Sequence, residues 1–283
     1  MDFIKSLIPS RFYSSKPEIP VVRLQGTIMD SSTASISRTL SLGRCANLLD
    51  KAFSYKKAPA IAIVVNSPGG SPVQSRLIFK RIRDLAEKKN KQVLVFIEDV
   101  AASGGYMIAC AGDEIFADPS SIVGSIGVVS ASFGFTELLK KIGIERRVYT
   151  AGKNKVTLDP FQPEKKVDVE HLKSLQLEVH QTFIDLVKER RGEKLSDDSN
   201  IFTGMFWSGK KGLELGLVDG LNDVRSVIKE RFGDDTKLRL IAPPKSFLGP
   251  KIPSGVTADV IYTAVDSALA AVEERALWQR YGL

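Results

Sequence analysis

Residues 60–70 read Ala-Ile-Ala-Ile-Val-Val-Asn-Ser-Pro-Gly-Gly: a β-branched run of six apolar residues and Asn66, broken abruptly by Ser67, proline and paired glycine. A run of that length with no polar alternation describes a strand buried on both faces, as in a parallel sheet covered by helices. Downstream, Val73, Leu77, Ile78, Ile82 and Leu85 recur near helical spacing with basic residues between them. The pattern then repeats. Val93-Leu94-Val95-Phe96-Ile97 predicts a second buried strand, 99–105 a turn ending in Gly104-Gly105, and 105–111 a short apolar helix. Ile115-Phe116-Ala117 predicts a further strand, followed by a glycine-punctuated apolar stretch over 122–130. Upstream, Val21-Val22-Arg23-Leu24 predicts a first strand and residues 37–52 a helix; helices are also expected over 135–142, 168–190 and 208–215. Strand–helix alternation with buried strands gives an α/β fold with mostly parallel pairing.

The whole chain is compatible with one such domain. Its 283 residues are 43% apolar and 26% charged, which excludes disordered and fibrous classes. Two cysteines exclude a disulfide-built scaffold, and Cys110, inside the run Met107-Ile108-Ala109-Cys110-Ala111, reads as a small buried hydrophobe. The expected organisation is an N-terminal arm over 1–20, a domain over 21–240, and a tail over 241–283 with an Ala-rich amphipathic helix at 256–276. Phe3, Ile4, Leu7, Ile8 and Phe12 beside Lys5 and Arg11 would suit peripheral contact with an anionic membrane. With no apolar signal region and no stretch of spanning length, a cytoplasmic location with peripheral membrane attachment is expected. The formal net charge of +7 is scattered among acidic residues without a zinc-finger or aromatic–basic signature, so nucleic acid is not an expected partner.

Chemistry concentrates at two similar turns, Asn66-Ser67-Pro68-Gly69-Gly70 and Ala101-Ala102-Ser103-Gly104-Gly105. Each leaves a buried strand and enters a helix, at the end of a parallel sheet where ligands collect. Glycines there let backbone N–H groups face a ligand, and a helix N-terminus adds positive potential, the parts of an oxyanion hole. Ser67 and Ser71 read as structural serines, and Ser103 is either a helix cap or a nucleophile. A nucleophilic serine needs a base, usually histidine. The two histidines, His171 and His180, read as solvated residues of an amphipathic helix, which leaves lysine as the candidate base. No Cys/His clustering suggests a metal, and no cofactor is expected.

Five short motifs occur in a fixed order: the two turns, Gly124-Ser125-Ile126-Gly127-Val128, Ala151-Gly152-Lys153-Asn154-Lys155, and Gly216-Leu217-Val218-Asp219. In that order the chain resembles the signal peptide peptidase A (S49) family over about residues 21–232. The resemblance implies a ClpP/crotonase-like spiral of ββα units with a mostly parallel sheet. It implies Ser103 as nucleophile, Lys155 as general base with Lys153 at a variable position, and Ser125 as the serine that orients the lysine. The Gly70 and Ser103 amides would form the oxyanion hole. It implies a serine endopeptidase with a Ser–Lys dyad acting on signal peptides or other unfolded hydrophobic polypeptides. It further implies a homo-oligomeric ring in which neighbouring protomers share each site. An exposed lysine has a pKa near 10.4, so such a base must be desolvated to work near neutrality, and Val156, Leu158 and Phe161 are the expected apolar wall.

Three other readings use parts of this pattern. A crotonase-type acyl-CoA enzyme would employ carboxylates, with Glu98, Asp99 and Asp113 as candidates. A catalytically silent, membrane-associated scaffold would leave the serine and lysine unused. A peptidase restrained by its own C-terminal tail would use the apolar character of residues 252–283.

Overall fold

The computed structural model describes residues 17–30, 39–242, 272 and 275–283. The membrane contact expected of Phe3 to Phe12 lies outside the described residues, as do the start of the helix expected at 37 and nearly all of the helix expected over 256–276.

The run at 60–70 does form a strand, β2 (Ala60–Ser67), with all eight residues buried. Its pleat sorts them by size. Ile61, Ile63 and Val65 point into the main core beneath α1 (Leu42–Phe53) and α2 (Pro72–Lys89), while Ala60, Ala62 and Val64 face the opposite side. There they meet Val227 and Ile228 of α7 (Val224–Phe232), together with Phe96 and Phe116, whose rings stack with centroids 5.3 Å apart. Burying each large aliphatic side chain contributes about 1.5–3 kcal/mol, so the two-sided burial explains why the run tolerates no polar alternation. Helix α2 starts where the sequence says it should: Ser71 caps it by accepting from the Gln74 N–H, and Pro72 fills the first turn.

β1 (Glu18–Gln25), β2 and β3 (Gln92–Ala102) pair in parallel, and β8 (Lys237–Leu240) adds to the far side of β1. Beyond β3 the sheet forks. The first half of β3 pairs with β4 (Glu114–Ala117), which continues to β7 (Gly220–Leu221); the second half pairs with β5 (Ile122–Gly124). Among the described residues, only β5 with β6 (Phe206–Ser208) is antiparallel. The architecture is the mostly parallel α/β fold expected.

The turn expected over 99–105 is shorter than that. β3 runs through to Ala102, because Asn66 spans a register shift between β2 and β3: its Nδ2 donates to Asp99 (2.7 Å) and its Oδ1 accepts from the Val100 N–H (3.3 Å). With those groups satisfied the strand persists, and the reversal is compressed into Ser103 before α3 (Gly104–Ala109), all six residues of which are buried. β6, β7, α7 and β8 were not foreseen; they are short or heavily charged, and their periodicity is correspondingly weak.

From 129 to 180 the character changes. α4 (Thr136–Lys141) has no buried residue, and α5 (Lys166–Arg191) buries only Phe183, Leu186, Val187 and Arg191 at its C-terminal end. The segment carries apolar side chains in the open, Phe133 at 80% and Tyr149 at 89% exposure among them. It is anchored where α5 ends. Arg191, nearly fully buried, pairs with Asp219 (2.7 Å), which also accepts from Lys194 and from the Ile115 N–H of β4. The Gly216-Leu217-Val218-Asp219 motif is therefore a structural clamp. α6 (Gly209–Glu214) precedes it.

Candidate active site

Ser103 is held in a conformation that an L-residue rarely adopts, with φ +52° and ψ −121°. Such backbone costs on the order of 1–3 kcal/mol and persists only where the surroundings impose it. Here the Ser103 N–H donates to the Gly124 carbonyl of β5 (2.8 Å) and its carbonyl accepts from the Met107 N–H (3.0 Å). Its hydroxyl makes no capping hydrogen bond. The contrast with the neighbouring serines is direct: Ser71 caps α2, and the buried Ser67 hydroxyl donates to the Gly26 carbonyl (2.7 Å). Of the three, only the Ser103 hydroxyl is left uncommitted among the described residues, and Ser103 lines a cavity of about 520 Å³.

Gly70 lines the same cavity. Its φ of +139° and its seat against the Ile28 backbone admit no Cβ, which would collide with the Ile28 carbonyl oxygen. The bridge to Ile28 uses the Gly69 carbonyl and the Ser71 N–H, and the Gly70 N–H has no acceptor among the described residues. The same holds for the Gly104 N–H, the first of α3. Of the expected Gly70–Ser103 amide pair, the Ser103 amide donates to β5, and the Gly104 amide is the second one with no acceptor among the described residues. Gly70, Ser103 and Gly104 also border a small recess of about 20 Å³ walled by Met107, Val128, Val179 and Phe183.

Ser125 lies across the cavity, 4% exposed and also at positive φ (+53°), with its N–H donating to the Met205 carbonyl (2.8 Å). His180, read from sequence as a solvated helix residue, is instead half-buried, lines the cavity, and places Nε2 3.0 Å from the Ile126 carbonyl. Helical periodicity could not have found it, since what it meets is set by the packing of α5 on the 125–128 segment.

Lys155 is not among the residues lining the cavity. It sits in the exposed 143–165 loop, as does Lys153. The apolar wall expected around it is not assembled among the described residues: Phe161 stacks on Phe135 (5.6 Å) and carries the Arg146 guanidinium 4.8 Å above its ring. The carboxylates of the acyl-CoA reading are engaged elsewhere, Glu98 by Arg23 (2.8 Å), Asp99 by Asn66 and Asp113 by Arg83 (2.7 Å), and none lines the cavity. Burial pushes the Cys110 thiol up to about 12, so it offers no competing nucleophile. No group of metal-ligating side chains occurs among the described residues, and no described helix is long and apolar enough to cross a membrane.

An open serine hydroxyl, two amides without acceptors and an adjacent apolar recess are what acyl transfer from a peptide carbonyl requires. Sequence comparison relates the chain to a peptidase family. Residues 85–235 match the profile of Peptidase family S49. A relative from Buchnera aphidicola subsp. Schlechtendalia chinensis, named "Probable protease SohB", is 31% identical over 77% of this chain and 68% of its own length. The chloroplastic serine protease SPPA of Arabidopsis thaliana is 30% identical over 87% of this chain and 37% of its own. A Brucella abortus protein bearing the name Na(+)/H(+) antiporter NhaA is 61% identical over 99% of this chain. The chain spans 39% of that protein's length. A solved membrane-bound stomatin-specific protease superposes on 81% of this chain and 99% of its own, with a TM-score of 0.48 at 15% identity.

Proposed function

The chain belongs to Peptidase family S49, and we propose that it is a serine endopeptidase in which Ser103 is acylated by the substrate and Lys155 of another copy of the chain is the general base. The observation that carries the first half is the strained Ser103, its hydroxyl free of capping and beside the unpaired Gly70 and Gly104 amides. The second half is supported by the exposed 129–180 segment, in which Lys155 and a row of apolar side chains lie uncovered and Lys155 does not line the Ser103 cavity. A second copy packed on those side chains would desolvate the lysine, and desolvation favours the neutral amine that a base must be.

In the proposed cycle, the neutral lysine takes the Ser103 proton and the alkoxide attacks the scissile carbonyl. The Gly70 and Gly104 N–H groups hold the oxyanion, and the lysine then returns the proton to the leaving amine. Water, deprotonated by the same lysine, attacks the acyl carbonyl, and the lysine passes that proton to the departing Ser103 oxygen, which regenerates the enzyme. The recess beside Ser103 suits a small apolar side chain next to the scissile bond. Extended hydrophobic polypeptides, signal peptides among them, are the substrate class proposed, with a homo-oligomer as the working form. Peripheral attachment to the cytoplasmic face of a membrane is proposed as well, on the basic and apolar residues at 3–12 and on a longer relative named for an antiporter.

A fluorophosphonate probe tests the nucleophile. Peptide mapping is expected to place the label on Ser103, with none incorporated by Ser103→Ala. Label on another residue, or undiminished labelling of the variant, would refute the assignment.

A further inference from the structure

The last described residues run into the back of the Ser103 site. Trp278 and Tyr281 form an apolar cluster with Val100 and Ala102 at the end of β3 and with Ile122 of β5. Tyr281 is 8% exposed, and its ring meets Phe206 edge-on with centroids 5.1 Å apart. Its hydroxyl lies 3.2 Å from Ser125 Oγ. Leu277 and Arg280, from the same stretch, line the cavity into which Ser103 opens.

A serine hydroxyl has one proton to give and two lone pairs to receive, and its rotor is free unless a neighbour fixes it. A phenol is the stronger acid of the two, so the natural sense is Tyr281 O–H donating to Ser125 Oγ. That occupies a lone pair of Ser125 and leaves the Ser125 proton to be directed across the cavity. Donors linked in series polarise one another, so the second bond gains from the first.

We propose that Tyr281 is a positioning residue for hydrolysis: by donating to Ser125 Oγ it sets the direction of the Ser125 hydroxyl, which in turn holds the lysine amine in line with Ser103. The proposal rests on the Ser103–Lys155 reading above. The same contact could serve a removable plug, but burial argues for a fixed part. Withdrawing Tyr281 would uncover Val100 and Ala102, both fully buried in the strand that carries the nucleophile.

Full-length Tyr281→Phe, Ser125→Ala and the double variant, assayed on a fluorogenic peptide, separate these roles. Phenylalanine keeps the packing against Phe206 and Trp278, so the melting temperature should hold. One lost hydrogen bond predicts about a twofold to tenfold fall in kcat with KM unchanged. The double variant should be no slower than Ser125→Ala, because Tyr281 acts only through that hydroxyl. An unchanged kcat, a rise in kcat, a change confined to KM, or additive losses in the double variant would each overturn the proposal. If Ser103 is labelled by the fluorophosphonate while Tyr281→Phe turns over normally, only the role of the tail fails. If wild-type Ser103 is never labelled, the parent reading fails and takes this one with it.

Discussion

Alanine at Ser103 is expected to lower hydrolysis of an unfolded protein by about 10⁵- to 10⁶-fold, the range for removing a serine nucleophile that works as a unit with its base. The fold should be unaffected, since the Ser103 hydroxyl caps nothing and the backbone bonds that hold its positive φ come from its amide and carbonyl. Lys155→Ala should be nearly as damaging although Lys155 is exposed within its own chain, and Lys153→Ala should leave activity within about twofold. Such a pattern cannot be explained by loss of stability, because surface substitutions in an exposed loop usually change it by less than about 0.5 kcal/mol. Rates measured on casein for these variants and for His180→Ala check the assignment. Activity retained in Lys155→Ala but abolished in His180→Ala would move the base into the same protomer.

The largest expected effect on stability is at Asp219. Burial alone would raise its carboxyl, but the hydrogen bonds from Arg191 and Lys194 outweigh burial and hold it below the usual carboxylate range. Arg191 mirrors this: burial would lower it, and the Asp219 hydrogen bond raises it instead. Asp219→Asn leaves a guanidinium that is 2% exposed without its counter-charge, and breaking a buried pair from one side costs about 3–5 kcal/mol. A carboxyl depressed by folding contributes stability that is complete above its unfolded value near 3.9 and is lost as the pH falls through the lower folded value. Urea denaturation should therefore show a wide gap between wild type and variant at pH 7, narrowing in acid as the wild-type carboxylate is protonated. A gap below about 1 kcal/mol at pH 7 would show that the clamp is not what ties the end of α5 to β4.

The buried strands, α2 and the glycine turn at Ser103 were legible in the sequence because their signals are local. A β-branched run, a cap followed by proline, and paired glycines each name one element without reference to distant residues. The sequence misplaced what depends on long-range pairing. β3 was expected to end at Ile97 ahead of a turn over 99–105, and it is the Asn66 side chain, on another strand, that carries β3 through to Ala102. Which amide is open, that of Ser103 or that of Gly104, was illegible for the same reason: it depends on the Gly124 carbonyl of β5. His180 and Tyr281 went unread because each acquires its role from a neighbour more than 50 positions away. Lys155 was singled out by its motif, yet no periodicity says what would cover it, because nothing among the described residues does.

A site completed between copies makes one prediction that no single-chain enzyme can meet. Ser103→Ala and Lys155→Ala chains, each inactive alone, are co-expressed in equal amounts and isolated as mixed oligomers. If each site joins the serine of one copy to the lysine of the next, about one site in four receives both intact groups, and proteolysis should return to about a quarter of the wild-type rate. Mixed oligomers as inactive as either parent would contradict a shared site and return Lys155 to the status of a solvated loop residue.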